Sequence, residues 1–153
     1  MDSGLGFWFV RPNTTDSRTL TFSGAVKGDA NTFTLASTYT MMGSAFPMDI
    51  VLNDKETCPF DWEKEATAGQ TFAEADQIQI WNGSSFDIYW YRANKTSGAP
   101  SQKFTLGPAW VYSKDDQVVW PGKIPAGQAI WYVKPGTSTR TLEQKSPIAP
   151  KAE

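Results

Sequence analysis

The chain has 153 residues, enough for one domain with a sizeable core. Aromatic residues make up 14% of it and charged residues 20%, the composition of a packed globular protein and not of a disordered one. A net charge of -2 with both signs scattered excludes the basic stripe that binding nucleic acid requires, and no apolar run is long enough to cross a bilayer.

The predicted elements are short. Leu5 to Val10 reads as a strand, aromatic and β-branched between glycine and Pro12. A turn at 13–17 precedes Arg18 to Ser23, which alternates with Leu20 and Phe22 on one face. After the turn at Gly28-Asp29-Ala30-Asn31, Thr32 to Met42 reads as one strand or two, with Phe33 and Leu35 on one face and Tyr39 and Met41 on the same parity. Gly43 to Pro47 is a break, and Met48 to Leu52 a short strand. Residues 55–75 read as a long loop, with a helical turn or two within Asp61 to Ala68. The clearest hairpin follows: Gln77 to Ile80 alternates, Asn82-Gly83 turns, and Phe86 to Tyr91 returns. Phe86, Ile88 and Trp90 share one face of the return strand, and Asp87, Tyr89 and Tyr91 the other. Asn94 to Ser101 reads as a flexible turn. Strands are expected near Phe104–Leu106, Trp110–Tyr112 and Val118–Trp120. Tight punctuation from Pro121 to Gly127 precedes a strand at 128–133. Beyond Leu142 the chain is expected to leave the domain, with 146–153 a tail. Many short strands and no long helical period predict an all-β fold: a single domain over 1–145, built as a β-sandwich or a small distorted β-barrel.

One stretch occurs twice. Gly6-Phe7-Trp8-Phe9-Val10-Arg11-Pro12, then Arg18-Thr19-Leu20, recurs as Ala129-Ile130-Trp131-Tyr132-Val133-Lys134-Pro135, then Arg140-Thr141-Leu142. Gly4 and Gly127 precede the two copies at the same offset. Two near-identical strands suit one kind of slot in a sheet, held within one module, across tandem modules or between subunits. Phe7, Trp8, Phe9 and Val10, with Ile130, Trp131, Tyr132 and Val133, are therefore the candidate assembly strands.

Three further motifs occur in order: Gly43-Ser44-Ala45-Phe46-Pro47; Ile78-Gln79-Ile80-Trp81-Asn82-Gly83; and Pro125-Ala126-Gly127-Gln128-Ala129 leading into Ile130-Trp131. The series resembles a class of aromatic-rich β-modules of bacterial secreted and cell-surface proteins. Those carry a Gly-Asn-Pro-Phe-Pro-like turn, an Ile-x-Val-Trp-Asp-Gly hairpin and a closing Pro-Gly-Gln-Gly-Phe strand. Here Ser-Ala stands for Asn-Pro, and Ala129 for the last glycine. The resemblance implies a noncatalytic surface module and carries over no active site.

Histidine is absent, which removes Ser-His and Cys-His nucleophiles, histidine metal sites and the commonest general base. The single Cys58 forms no internal disulfide and no cysteine-rich zinc site. Carboxylate-only catalysis has Asp49, Asp54, Glu56, Asp61, Glu63, Glu65, Glu74, Asp76 and Asp87 to draw on, but needs a cleft. Asp49, Asn53, Asp54 and Glu56, or Asp115 and Asp116, have calcium-ligand chemistry without EF-hand spacing, and such clusters in turns are usually turn formers. The expectation is no enzyme, no cofactor and no metal. The seven Trp are the serious candidates. Trp8, Trp90 and Trp131 are assigned to the core. Trp81, Asn82, Tyr89 and Tyr91 are the candidate ligand platform, where rings stack on sugar faces and polar groups bond hydroxyls.

The sequence-based expectation is a structural or assembly module, extracellular or at the cell surface, paired with its own copies or tandem modules. The alternative is a carbohydrate-binding module with a glycan partner. Met1-Asp2-Ser3-Gly4 lacks the basic start and apolar core of a signal peptide, so the export signal is expected to have been removed. Neither nucleic acid binding nor membrane insertion is expected.

Overall fold

The computed structural model describes Gly4, Gly6, Thr19, Thr21 and residues 28–97 and 104–147. Most of the first copy of the repeat, with the expected strands at 5–10 and 18–23 and the residues beyond 147, lies outside that set. In chain order the elements are β1 (Asn31–Leu35), β2 (Tyr39–Met42), β3 (Ile50–Val51), α1 (Trp62–Glu65), β4 (Gln77–Trp81), β5 (Phe86–Arg92), β6 (Lys95–Ser97), β7 (Phe104–Leu106), β8 (Ala109–Tyr112), β9 (Asp115–Val119), β10 (Lys123–Ile124), β11 (Ile130–Val133) and β12 (Arg140–Gln144). A 3-10 turn at Phe72–Glu74 precedes β4. The fold is all-β and sandwich-like. An antiparallel six-stranded sheet, order β2-β11-β4-β5-β8-β9, is accompanied by the two-stranded sheets β1-β12, β3-β10 and β6-β7.

Register decides which side chains face inward, because residues opposite each other in adjacent strands share a face. Ile78 pairs with Tyr89 and with Tyr132, Thr40 pairs with Tyr132, and Trp110 pairs with Tyr91. These positions, with Met42 and Ile130, form the inner face. It packs on Phe33 and Leu35 of β1, Leu142 of β12, Ile50, Ile124, and the segment carrying Leu52, Cys58, Phe60 and Trp62. Rings run through this core. Phe60 stacks on Trp62 at 4.5 Å, and the fully buried Trp110 meets Trp62 edge-on at 5.2 Å and Tyr91 at 5.3 Å. A second, smaller cluster of Trp90, Ala109 and Val111 lies on the outer face under Ala75.

The β4–β5 hairpin forms as its sequence requires. Asn82 Oδ1 accepts from the backbone N–H groups of Ser84 (3.1 Å) and Ser85 (3.0 Å), and Gly83 adopts φ +105°, a conformation other residues resist. The helical turn expected near 61–68 is α1. Other readings need correction. The parity shared by Phe33, Leu35, Tyr39 and Met41 does not hold: the chain breaks at 36–38, so β1 joins β12 while β2 enters the large sheet with Tyr39 and Met41 outward. The flexible turn expected from Asn94 contains β6, paired with β7; Lys-Thr-Ser has no apolar alternation, and the pairing is set by its partner. The chain does not leave the domain at Leu142. β12 runs on to Gln144, which is fully buried and bonds Ala45 N and Ser44 Oγ.

Backbone partners border β2 on both sides. β11 lies along one edge. At the other, Gly6 N donates to Met41 O (3.3 Å) and Gly43 N donates to Gly4 O (2.8 Å), two opposed bonds in the antiparallel pattern. Gly4 and Gly127 hold matching left-handed conformations, φ +83° and +80°. A Cβ at Gly6 would fall 2.6 Å from Met41 Cγ and 2.9 Å from the Cβ of Ala129, its counterpart in the second copy, so any other residue here forces a neighbour to shift.

Trp110→Ala is expected to lower unfolding free energy by about 3–5 kcal/mol, since neighbouring rings cannot collapse into the space. Urea unfolding followed by far-ultraviolet circular dichroism measures it; a loss under about 1 kcal/mol would contradict the ring-packed core.

Candidate functional site

The outer face of the large sheet carries the exposed rings. Trp131 pairs with Met41 on one side and Gln79 on the other, and Trp81 pairs with Phe86. Strict alternation turns all of these outward, opposite to Ile130, Tyr132 and Ile78. They line a groove of about 210 Å³ with Gln128, Ala129 and Ile130. Trp81 and Phe86 meet edge-on, centroids 5.1 Å apart and planes at 63°, and remain 40% and 36% exposed. No charged side chain lines the groove among the described residues.

The four residues read as one platform are divided between the two sheet faces. Trp81 lies at the hairpin end on the outer face, and Asn82 is engaged within the turn. Tyr89 and Tyr91 face inward. Tyr89 stacks on Trp120 at 4.2 Å, and Tyr91 is 4% exposed against Trp110. Burial, with Glu63, Asp61 and Cys58 around it, pushes the Tyr91 hydroxyl up to about 12. Of the second assembly strand, Ile130, Tyr132 and Val133 are buried, and Trp131, assigned to the core, is half-buried in the groove wall. Trp90 is buried as expected, though in the outer cluster. Phe7, Trp8, Phe9 and Val10 lie outside the described residues. Sequence reasoning missed Gln79, Gln128 and Trp131 as neighbours; the outward parity of Gln79 was legible beside Ile78 and Ile80, but its pairing with a residue fifty positions away was not.

A buried polar centre sits beneath the sheet's other end. Asp76 is fully buried, and its Oδ2 accepts from Thr67 N (3.0 Å), the Tyr132 hydroxyl and Arg140 Nη2. Burial, followed by the Asp76 charge, raises the Tyr132 hydroxyl well above its usual value. This centre ties the 66–76 segment, β11 and β12 to one another, and its chemistry is that of a structural clamp. Asn53 is a second clamp: its amide donates to Trp110 O and Trp120 O at 2.9 Å and accepts from Trp110 N at 2.8 Å.

Of the acids considered for catalysis or calcium, Asp49 and Asp54 are occupied in turns. Asp49 bonds Lys123 Nζ and Ala126 N, and these bonds hold its carboxyl below the usual range. Asp54 accepts from Thr57 Oγ1, Glu56 N and Thr57 N, with the same effect. Asp61 and Glu63 line a cleft of about 200 Å³ beside Phe60, Trp62 and Tyr91, but each is paired with a lysine, Lys64 and Lys55. Lys64 lowers the Asp61 carboxyl, which suits an ionised group and not a proton donor.

Asp76→Ala is expected to cost about 3 kcal/mol or more, because it strands Arg140 and the Tyr132 hydroxyl, whereas Tyr132→Phe costs about 1 kcal/mol. Denaturant melts of both variants test the ranking. Burial raises the Glu65 carboxyl above its ordinary value. Its contribution to stability is therefore full below the unfolded value, about 4.3, and lost as pH rises through the folded one. Glu65→Gln should match the parent at low pH and exceed it at neutral pH; equal unfolding midpoints at both would refute this. No protein-family model, no curated protein and no solved structure matches the chain.

Proposed function

We propose that the chain is a noncatalytic structural module of a secreted or cell-surface bacterial protein, one that associates with like modules by β-strand pairing and by aromatic packing beside it. The observation that carries this reading is the pair of backbone bonds on the edge of β2 away from β11, Gly6 N donating to Met41 O and Gly43 N, just past β2, donating to Gly4 O. β2 thus has backbone partners on both sides, and a ribbon from a neighbouring module has the same backbone groups to offer. Tyr39 of β2, 58% exposed, provides apolar surface next to that edge. The engagement of Asp49, Asp54 and Asp61 in turns supports the noncatalytic part, and the resemblance to surface β-modules supports the setting.

Light scattering coupled to size-exclusion chromatography tests it. Deleting residues 1–11 is expected to leave β2 open and to produce dimers or longer species, which a peptide of the sequence Gly4 to Pro12 returns to monomer. A strictly monomeric protein at high concentration, with and without residues 1–11, would overturn the reading.

A further inference from the structure

We infer that the outer groove between β2, β11 and the β4–β5 hairpin binds a neutral saccharide unit. The inference goes beyond the association reading and uses the sheet surface, not the β2 edge. Three observations carry it. First, Trp131, Trp81, Phe86 and Met41 provide apolar and ring surface on one side of the sheet, and register holds them outward. Second, the amides of Gln79 and Gln128 stand in the same groove, and neither side chain has a bond within the described residues. Third, no charged or titratable group lines the cavity among the described residues.

Together these select a ligand class. A charged ligand finds no counter-charge here. A wholly apolar partner would cover two amides and leave their donors and acceptors unsatisfied, which weakens binding. A sugar ring satisfies both conditions: its C–H face lies on the indole or phenyl surface, and its hydroxyls exchange hydrogen bonds with the amides. Small-ligand sites are commonly mostly apolar with a few placed polar groups, which describes this groove. An amide both donates and accepts, so it matches a hydroxyl in either orientation.

The test is isothermal titration of the full chain with neutral oligosaccharides of glucose, mannose, galactose and xylose, with tryptophan fluorescence as a second readout. At least one is expected to bind. Trp131→Ala and Gln79→Leu are each expected to weaken it about tenfold or more. Tyr91→Phe, inside the core, should leave it unchanged, and affinity should stay level from about pH 3.5 to about pH 7, where a carboxylate site would titrate. Both groove substitutions lie on the solvent side, and circular dichroism verifies that each variant is folded. If none of the four series binds at about 10 mM, a concentration that reveals even millimolar affinity, the inference fails. It fails equally if binding survives both substitutions in folded protein, or if those substitutions change only the oligomeric state, which would make the groove a protein interface.

Discussion

The packing of Trp110 against Trp62, Tyr91 and Tyr132 is the constraint on which the rest of the structure depends. It brings together one ring from a short helix in a long loop and three from strands of the large sheet. Once these rings are inside, the two-residue period of every strand fixes what faces out. Trp131 cannot join Tyr132 in the core without slipping the register of β11 by one residue, and that slip would expose Ile130 and Tyr132. The outer groove is therefore a consequence of the inner packing.

Polar groups confine that packing to one arrangement. Asp76 collects donors from the preceding loop, from β11 and from β12, so three segments distant in sequence meet at one carboxylate oxygen. Asn53 clips the end of the β3 segment to the backbone on both sides of the β8–β9 hairpin. Arg92, buried on the outer side, donates to the carbonyls of Asp116 and Gly107. Each clamp uses a side chain whose loss would leave partners unsatisfied in a dry interior. These are the high-stakes polar contacts that favour a single register over its neighbours.

The repeat takes its meaning from β2. Sequence similarity alone says that two ribbons seek similar slots. The backbone places β11 and the Gly4–Gly6 residues on opposite edges of the same short strand, with their leading glycines in the same left-handed conformation. Gly6 stands where Ala129 stands in the second copy, and a Cβ there would crowd Met41 Cγ and the Ala129 methyl. A device of this kind serves a closed module and a chain of modules equally well, since the bonds involved are main-chain bonds that any extended segment can make.

What the residues determined by themselves was local. Strict alternation in Gln77–Ile80, the Asn82-Gly83 turn and the aromatic return strand specified the β4–β5 hairpin with its two faces. The density of turn residues specified an all-β chain. The lack of histidine, together with acids set in turn sequences, removed most catalytic chemistry from consideration. Which face of each strand was inner, and which strand lay beside which, was not available, because pairing partners lie tens of residues apart and hydrophobic rings occupy both faces of β5. Hence Tyr91 read as a surface ring and Trp131 as a core one, and the structure reverses both. Gln79 had its outward parity to show and Gln128 no local signal. Their value as a pair arises only when β11 pairs with β4, a long-range contact that the tertiary fold alone creates.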